Sequence, residues 1–489
     1  MMKTPAHTYL KRLVTHKFFI SAIVLLLLIL GFLYYPLVLN TSPELVEPQR
    51  FESQDGYLET SLTPKKEDVV IDGKTVNARV YNGSYQTPLF VIQGGDTFRV
   101  NLKNELDEPT NLHFHGSHVS PKGHSDNVLI EIRKGEEFIY EYHLPDTHPP
   151  GLYWYHPHTH PYVENQVYDG MAGPIIVKGA VDELEGIKGV PEKVLVLQAR
   201  DSDNDNKPIR LVNGMNHPKI SIRPGEVQRW RIVNASADAF YNLAIEGHPL
   251  NIISRDGNTT SEVVTVDSEL MSPGDRIEIL IRGGMPGNYK VKSLHFDAEK
   301  MFEYEEDDFM TFQVAGIPTN GPAFPTELLP YDDLSDAQID NTRVLTFGFR
   351  ERPSGDPQFL LDGEMFDPDE IDQIMELNAT EEWRLVNETD MWHPFHIHIN
   401  PFQVISVNGK LVDRKGYDDT FGIPANGEVT VRTVYRDFTG KYVLHCHILF
   451  HEDHGMMQVV EVVSEGGSPA PHNGVPELER MVNHSWMGH

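Results

Sequence analysis

A single cysteine in 489 residues, Cys446, sits in HCHILFHEDHGM between His445 and His447, with His451 and Met456 close behind. A thiolate, two imidazoles and a weak thioether form the ligand set of a blue-copper electron-transfer centre, and His393, the first histidine of HPFHIH, supplies the second imidazole. Zinc is the competing metal, although its structural sites favour several thiolates and no methionine. One cysteine cannot form an internal disulfide, so Cys446 is not a staple. The chain also carries four H-x-H pairs: His113 with His115, His156 with His158, His396 with His398, and His445 with His447. Residues two apart on a strand share a face, so each pair offers two imidazoles together. Eight imidazoles suffice for about three metal ions at two or three ligands each, with copper, zinc, iron and nickel all suited to neutral histidine. The same alternation turns Cys446 away from the face shared by His445 and His447, into its own module. A redox copper is then joined through the backbone to a cluster of three metals.

The elements that position these residues are read from repeats. GGDTFRVNLKN holds Gly95 and ends at Asn104, PGEVQRWRIVN holds Gly225 and ends at Asn234, and NATEEWRLVN runs from Asn378 to Asn387. PGLYWYHPH, PGNYKVKSL and TGKYVLHCH form a second repeat near the end of each unit. His113 and His396 each lie nine residues after the closing Asn of their units, where the middle unit has Leu243. Five and seven residues after the repeat glycine stand His156 and His158, then Lys292 and Leu294, then His445 and His447. Three copies of one β module are expected at 50–180, 190–315 and 335–465, the middle one a spacer without copper ligands, with 466–489 as a tail. The segments 179–193 and 316–336 read as linkers. Short alternating or β-branched runs cut by Gly, Pro, Asn and Asp make the fold all-β.

There are 72 Asp and Glu against 41 Lys and Arg, and a formal charge of −31 argues against a nucleic-acid partner. The N-terminus, 1–17, is basic through Lys3, Lys11, Arg12 and Lys17, and a 22-residue apolar run covers 18–39. At 1.5 Å per residue that run spans the roughly 30 Å hydrocarbon core, so a transmembrane helix is expected, with the remainder of the chain outside the cytoplasm. A cleaved signal sequence, releasing a secreted protein, is the alternative. The acidic runs Glu303 to Asp308 and Asp362 to Glu376 read as solvated loops, and His484, Met487 and His489 lie in the tail. His118, His124, His143, His148, His160 and His454 lie near the motifs but off the ligand positions.

HFHG, WYHPH, HPFHIH and HCHILFHEDHGM together closely resemble the multicopper oxidase family of laccases, bilirubin oxidases and bacterial cuprous oxidases, over about residues 50 to 465. The resemblance implies three cupredoxin-like Greek-key β-sandwich domains and four copper ions: one type 1, one type 2 and two type 3. By motif position His393, Cys446, His451 and the axial Met456 correspond to type 1 ligands. His113 and His396 look like type 2 ligands, and His115, His156, His158, His398, His445 and His447 like those of the type 3 pair, with their division between the two ions left open. Asp126 and Glu452 resemble the carboxylates that assist proton delivery. The implied reaction couples one-electron oxidation of a phenolic or other organic reductant to reduction of O2 to water. A metallo-oxidase acting on Cu(I), Mn(II) or Fe(II) in metal tolerance is the alternative, and a copper-binding or scaffold protein without turnover is the alternative of another class.

Overall fold

The structure is a computed structural model that describes residues 21, 23–25, 42–71, 73–201, 208–298 and 303–467. Its strands form three sandwiches. The first opposes a five-stranded sheet (Arg50–Glu52, Leu89–Gln93, Gly173–Lys178, Gly151–His156, His113–His115) to a three-stranded one (Tyr57–Leu62, Thr97–Lys103, Glu137–His143). Alternate residues from both sheets, among them Phe90, Phe98, Tyr140 and Ile175, fill the space between. The middle sandwich opposes seven strands, centred on Val227–Asn234 and Arg276–Arg282, to five that include Tyr241–Ile245 and Gly287–Ser293. The third opposes six strands, including Thr380–Asn387 and Glu428–Val434, to Gln373–Glu376, Met457–Val463, Gly440–Cys446, His393–Ile397 and Thr420–Ile423. The longest helix among the described residues, Val163–Asp169, has seven residues.

The repeated asparagines acquire a physical reason. Asn104, Asn234 and Asn387 are buried at strand ends. Each Oδ1 accepts the N–H two residues on, from Leu106, Ser236 and Thr389 at 2.9, 3.2 and 3.0 Å. Each Nδ2 donates to carbonyls farther along, those of Ile132, Met271 and Met391 included. Side-chain amides thus satisfy turn backbone that no strand partner reaches, and fix the chain leading to the next strand. In the first module that next strand carries His113 and His115, and in the third it carries His396 and leads directly into His398.

The expected linkers carry packing of their own, since Val181, Ile187 and Leu328 join a small core with Val227, Ile253 and Leu280. Glu303–Tyr304 and Asp307–Val314 are strands, and Glu306 and Asp308 pair with Lys292 and Lys290. Gln373–Glu376 is likewise a strand with Met375 in the core, so neither acidic run is purely a solvated loop. Of the apolar run 18–39 only Ser21 and Ile23 to Leu25 are described, and among the described residues no helix is long and apolar enough to cross a membrane. The tail beyond Gly467 lies outside the described residues.

Candidate metal centres

Antiparallel pairing brings the histidine motifs together within each outer sandwich. His113 lies opposite His156 in the first. In the third, His396 lies opposite His445 and Phe395 opposite Cys446. Strand alternation accounts for both members of only the first pair. His158, His398 and His447 fall just past the ends of their strands, so the turn out of the strand aims them.

The two outer sandwiches meet across these motifs. His113 stacks on His398 and His115 on His396, each with ring centroids 3.9 Å apart. Around them, Asp453 accepts the N–H groups of Val163 and Glu164 at 3.3 and 2.8 Å, closing the start of one helix with the end of another. His118 bonds Asp437 and the carbonyl of Ile399, making it a strut between the sandwiches, and His148 accepts the His118 N–H from within the first.

All eight imidazoles are buried. Ligand atoms of His158, His398 and His445 lie within 4.8 Å of one another, as do those of His113, His115 and His156, and of His113, His396 and His398. His447 closes on His115 and His156, at centroid distances of 4.9 and 5.6 Å. The six histidines expected to hold the type 3 pair thus fall in space into His158, His398, His445 and His115, His156, His447, a grouping the sequence leaves open.

Burial pushes these histidines below their ordinary pKa, His158 and His445 to about 4, and neighbouring imidazoles add to the effect at His113 and His398. They are neutral at pH 7 with lone pairs available. His113 Nε2, His396 Nε2 and both ring nitrogens of His398 and His447 are buried without a hydrogen-bond partner. Unpaired ring nitrogens in such number, converging from two sandwiches, are a cost that metal ions bound at their lone pairs would reduce.

On the opposite side of the same strand, Cys446 Sγ lies 3.5 Å from both His393 Nδ1 and His451 Nδ1, and the two nitrogens are 3.1 Å apart. His393 Nε2 is bonded to Thr389 Oγ1 at 2.7 Å, which keeps Nδ1 aimed at the sulfur. Met456 is buried, and its carbonyl accepts the Cys446 N–H at 3.1 Å. Burial raises the thiol pKa and lowers His393 to about 3, so without metal this set is a neutral thiol with neutral imidazoles. Cys446, on losing its proton, would offer a bound metal a thiolate beside the two nitrogens of His393 and His451, a set that fits copper.

Carboxylates stand behind the histidines. Asp126 accepts from His113 Nδ1 at 2.9 Å and from Phe114 N at 2.8 Å, and burial pushes it up to about 8. Glu452 lies 3.0 Å from His445 Nδ1 and 3.5 Å from His158 Nδ1 and is fully buried, which raises its pKa. Sequence reasoning missed Asp419, which accepts from His115 Nε2 at 3.2 Å and whose backbone carbonyl accepts from His396 Nδ1 at 2.8 Å. Burial by itself would raise Asp419, but Arg276 and His396 together outweigh it and hold the carboxylate below its ordinary range.

A thiolate-centred site and an eight-histidine cluster, back to back on one strand of a three-sandwich protein, define a copper oxidase with separate sites for reductant and dioxygen. Family descriptions of multicopper oxidases match residues 63–181, 154–304 and 336–466, and the chain belongs to the multicopper oxidase family. The multicopper oxidase mco of Staphylococcus aureus is 26% identical over 444 residues, covering 86% of this chain and 92% of that protein. A laccase of Bacillus stratosphericus is 25% identical over 505 residues, covering 86% and 98%. Among solved structures, a Campylobacter jejuni multicopper oxidase described as a metallo-oxidase superposes with TM-score 0.74 at 27% identity, covering 87% of this chain and 95% of that one. The sandwiches are therefore cupredoxin-like, and the protein is a laccase-like oxidase that binds four coppers. Copper held by these residues would supply one-electron oxidation of a reductant and, with four electrons and four protons, reduction of one dioxygen to two waters.

Copper loading is expected to raise the melting temperature by several degrees over the apoprotein. A ligand at a thousandfold excess over its Kd stabilises the fold by about 4 kcal/mol, and here it also satisfies the orphaned nitrogens. Calorimetry of the apo and loaded forms checks this, and coincident transitions would contradict it.

Proposed function

We propose that His393, Cys446 and His451, with Met456 as the axial group, hold the type 1 copper and that His113 and His396 hold the type 2 copper through Nε2. His158, His398 and His445 then hold one type 3 ion, and His115, His156 and His447 the other. Asp126 and Glu452 supply protons for dioxygen reduction from Oδ and Oε atoms that lie against ligand histidines. These roles are supported by burial, by the unpaired ring nitrogens and by the 3.5 Å approaches to Cys446 Sγ.

The reductant we assign is a phenol or similar aromatic. The observation that carries this is an aromatic path over the thiolate-centred site. Phe359 stacks on buried His451 at 3.9 Å, and Phe349, 46% exposed, lies 5.2 Å from Phe359. An apolar ring at the surface offers stacking area to an aromatic molecule and no ligand to a metal ion. Oxygen uptake by the copper-loaded protein should therefore be fastest with a dimethoxyphenol when Cu(I), Mn(II), Fe(II) and the phenol are supplied in turn. Phe349→Ala should lower kcat/KM for the phenol by about tenfold, the equivalent of roughly 1.4 kcal/mol of lost aromatic contact, and leave the metal ions unaffected. Faster oxidation of a metal ion, insensitive to Phe349→Ala, would overturn the assignment. It would favour a metallo-oxidase, a reading supported by Met365, which lies against Gly455 beside the same site with its sulfur accepting from Gln358 Nε2 at 2.7 Å.

The apolar run 18–39, preceded by Lys3, Lys11, Arg12 and Lys17, anchors the oxidase in the cell membrane with its sandwiches outside the cytoplasm. Fractionation of cells expressing the full chain tests this. Release of a shorter soluble protein would show signal cleavage instead.

A further inference from the structure

The middle sandwich holds no H-x-H pair, yet it reaches the cluster. Arg276 opens the strand Arg276–Arg282 and is fully buried. Its Nη1 and Nη2 donate to Asp419 Oδ1 and Oδ2 at 2.6 and 2.7 Å, a two-pronged contact of the strongest kind. Its Nε donates to the carbonyl of Leu152 in the first sandwich at 3.3 Å. Asp256, also from the middle sandwich, completes the grip. Its Oδ2 accepts the N–H groups of Asp419 and Thr420, each at 3.1 Å, and its Oδ1 accepts that of Arg276 at 2.8 Å.

The gripped segment is the one that touches His115 and His396. Asp419 Oδ1 takes the proton side of His115 at Nε2, which leaves Nδ1 facing His156 Nε2 at 3.4 Å. The Asp419 carbonyl takes Nδ1 of His396 at 2.8 Å, leaving Nε2 toward the cluster. Thr420 Oγ1 lies within 3.2 Å of His396 Nδ1 and 3.4 Å of His115 Nε2. The glycine of HFHG has a matching reason. Gly116 has φ +81°, and a Cβ there would collide with Arg276 Nη2 and Asp419 Oδ2. Gly274, two residues before Arg276, lies close enough to His447 that a Cβ would sit 3.0 Å from the ring.

We propose that Arg276 and Asp256 are positioning residues for the copper cluster: through Asp419, the ligand-free middle sandwich fixes which nitrogen His115 and His396 present to metal. The inference rests on the ligand assignment under Proposed function. A partner that orients a ligating histidine is worth about 10–100-fold in metal affinity when removed. Arg276 acts at second hand, and its loss leaves a buried carboxylate unpaired beside two ligands.

The test uses the full copper-loaded protein with Arg276→Met and Arg276→Lys, read by copper content after chelator challenge and by electron paramagnetic resonance. In Arg276→Met the type 1 signal and blue absorbance should persist, the type 2 hyperfine pattern should change, and one copper should be lost at roughly 10–100-fold lower chelator concentration. Arg276→Lys keeps the charge but not the two-pronged geometry and should fall between that variant and the parent. Four retained coppers and an unchanged type 2 signal in Arg276→Met would overturn the proposal. Loss of the type 1 signal together with the cluster, or failure of both variants to fold, would also overturn it and assign Arg276 to the joining of the sandwiches. If the parent protein itself binds fewer than four coppers, the ligand assignment fails first, and the two failures are thereby distinguished.

Discussion

Cys446→Ser is expected to abolish the intense blue absorbance and all turnover, with every reductant. The serine hydroxyl supplies no thiolate, so His393 and His451 lose the soft ligand that makes their site a redox copper centre rather than a pair of imidazoles. The eight cluster histidines lie on the other side of the strand and keep their positions, so metal analysis of the variant should still find the cluster's coppers. The residue is fully buried, and a hydroxyl in its place costs stability, by about 1–3 kcal/mol if its proton finds no acceptor. Loss of activity should therefore far exceed loss of fold. Absorbance spectra, oxygen uptake and melting curves on one preparation separate the two. A blue, active variant would contradict the assignment of Cys446.

The second large effect falls on proton supply. Asp126→Asn and Glu452→Gln should each slow dioxygen reduction by about 10²–10⁴-fold, the usual worth of a positioned acid or base, with the blue absorbance unchanged. Asp126 lies away from the thiolate-centred site, and Glu452, although it directly follows His451, turns its carboxylate to the cluster histidines. Asp126 is held against His113 and Phe114, and Glu452 against His445 and His158. Burial pushes Asp126 up to about 8. A proton donor works in its protonated form, so turnover limited by Asp126 should be highest at low pH and decline as pH rises through the value Asp126 has in the copper-loaded protein, where copper on His113 draws it down. In Asp126→Asn that limb should vanish and leave a low, flat profile. Rapid-mixing measurements of reduced enzyme with dioxygen, from pH 5 to 9, check the rate and the limb together. Unchanged turnover in both variants would remove the carboxylates from the mechanism.

The candidate ligands were legible as a group because they repeat. His113 and His396 stand at one register of a duplicated module, His156 and His445 at another, and Leu243 and Lys292 mark the same registers in the copy that lacks chemistry. The closing asparagines were legible as pattern but not as cause, since their role is to bond turn backbone that only folding brings near. Two things were not legible. Strand alternation does not reach His158, His398 and His447, which lie past strand ends, so how the six histidines proposed for the type 3 pair group in space needed three dimensions. Asp419 is 304 residues from His115, and Arg276 and Asp256 belong to the module with no ligand motif. An acid in YDDTFGI and an arginine in PGDRIEI resemble ordinary surface charges until the sandwiches close around them.

Metal analysis of the purified, fully loaded protein, joined to its electron paramagnetic resonance spectrum, bears most directly on the shared cluster between the outer sandwiches. Four coppers per chain, one giving the narrow type 1 signal, one an ordinary type 2 signal and two silent, is the predicted result. A stoichiometry of one or two, or four coppers that all give separate signals, would contradict a three-copper cluster built by the histidines of both sandwiches.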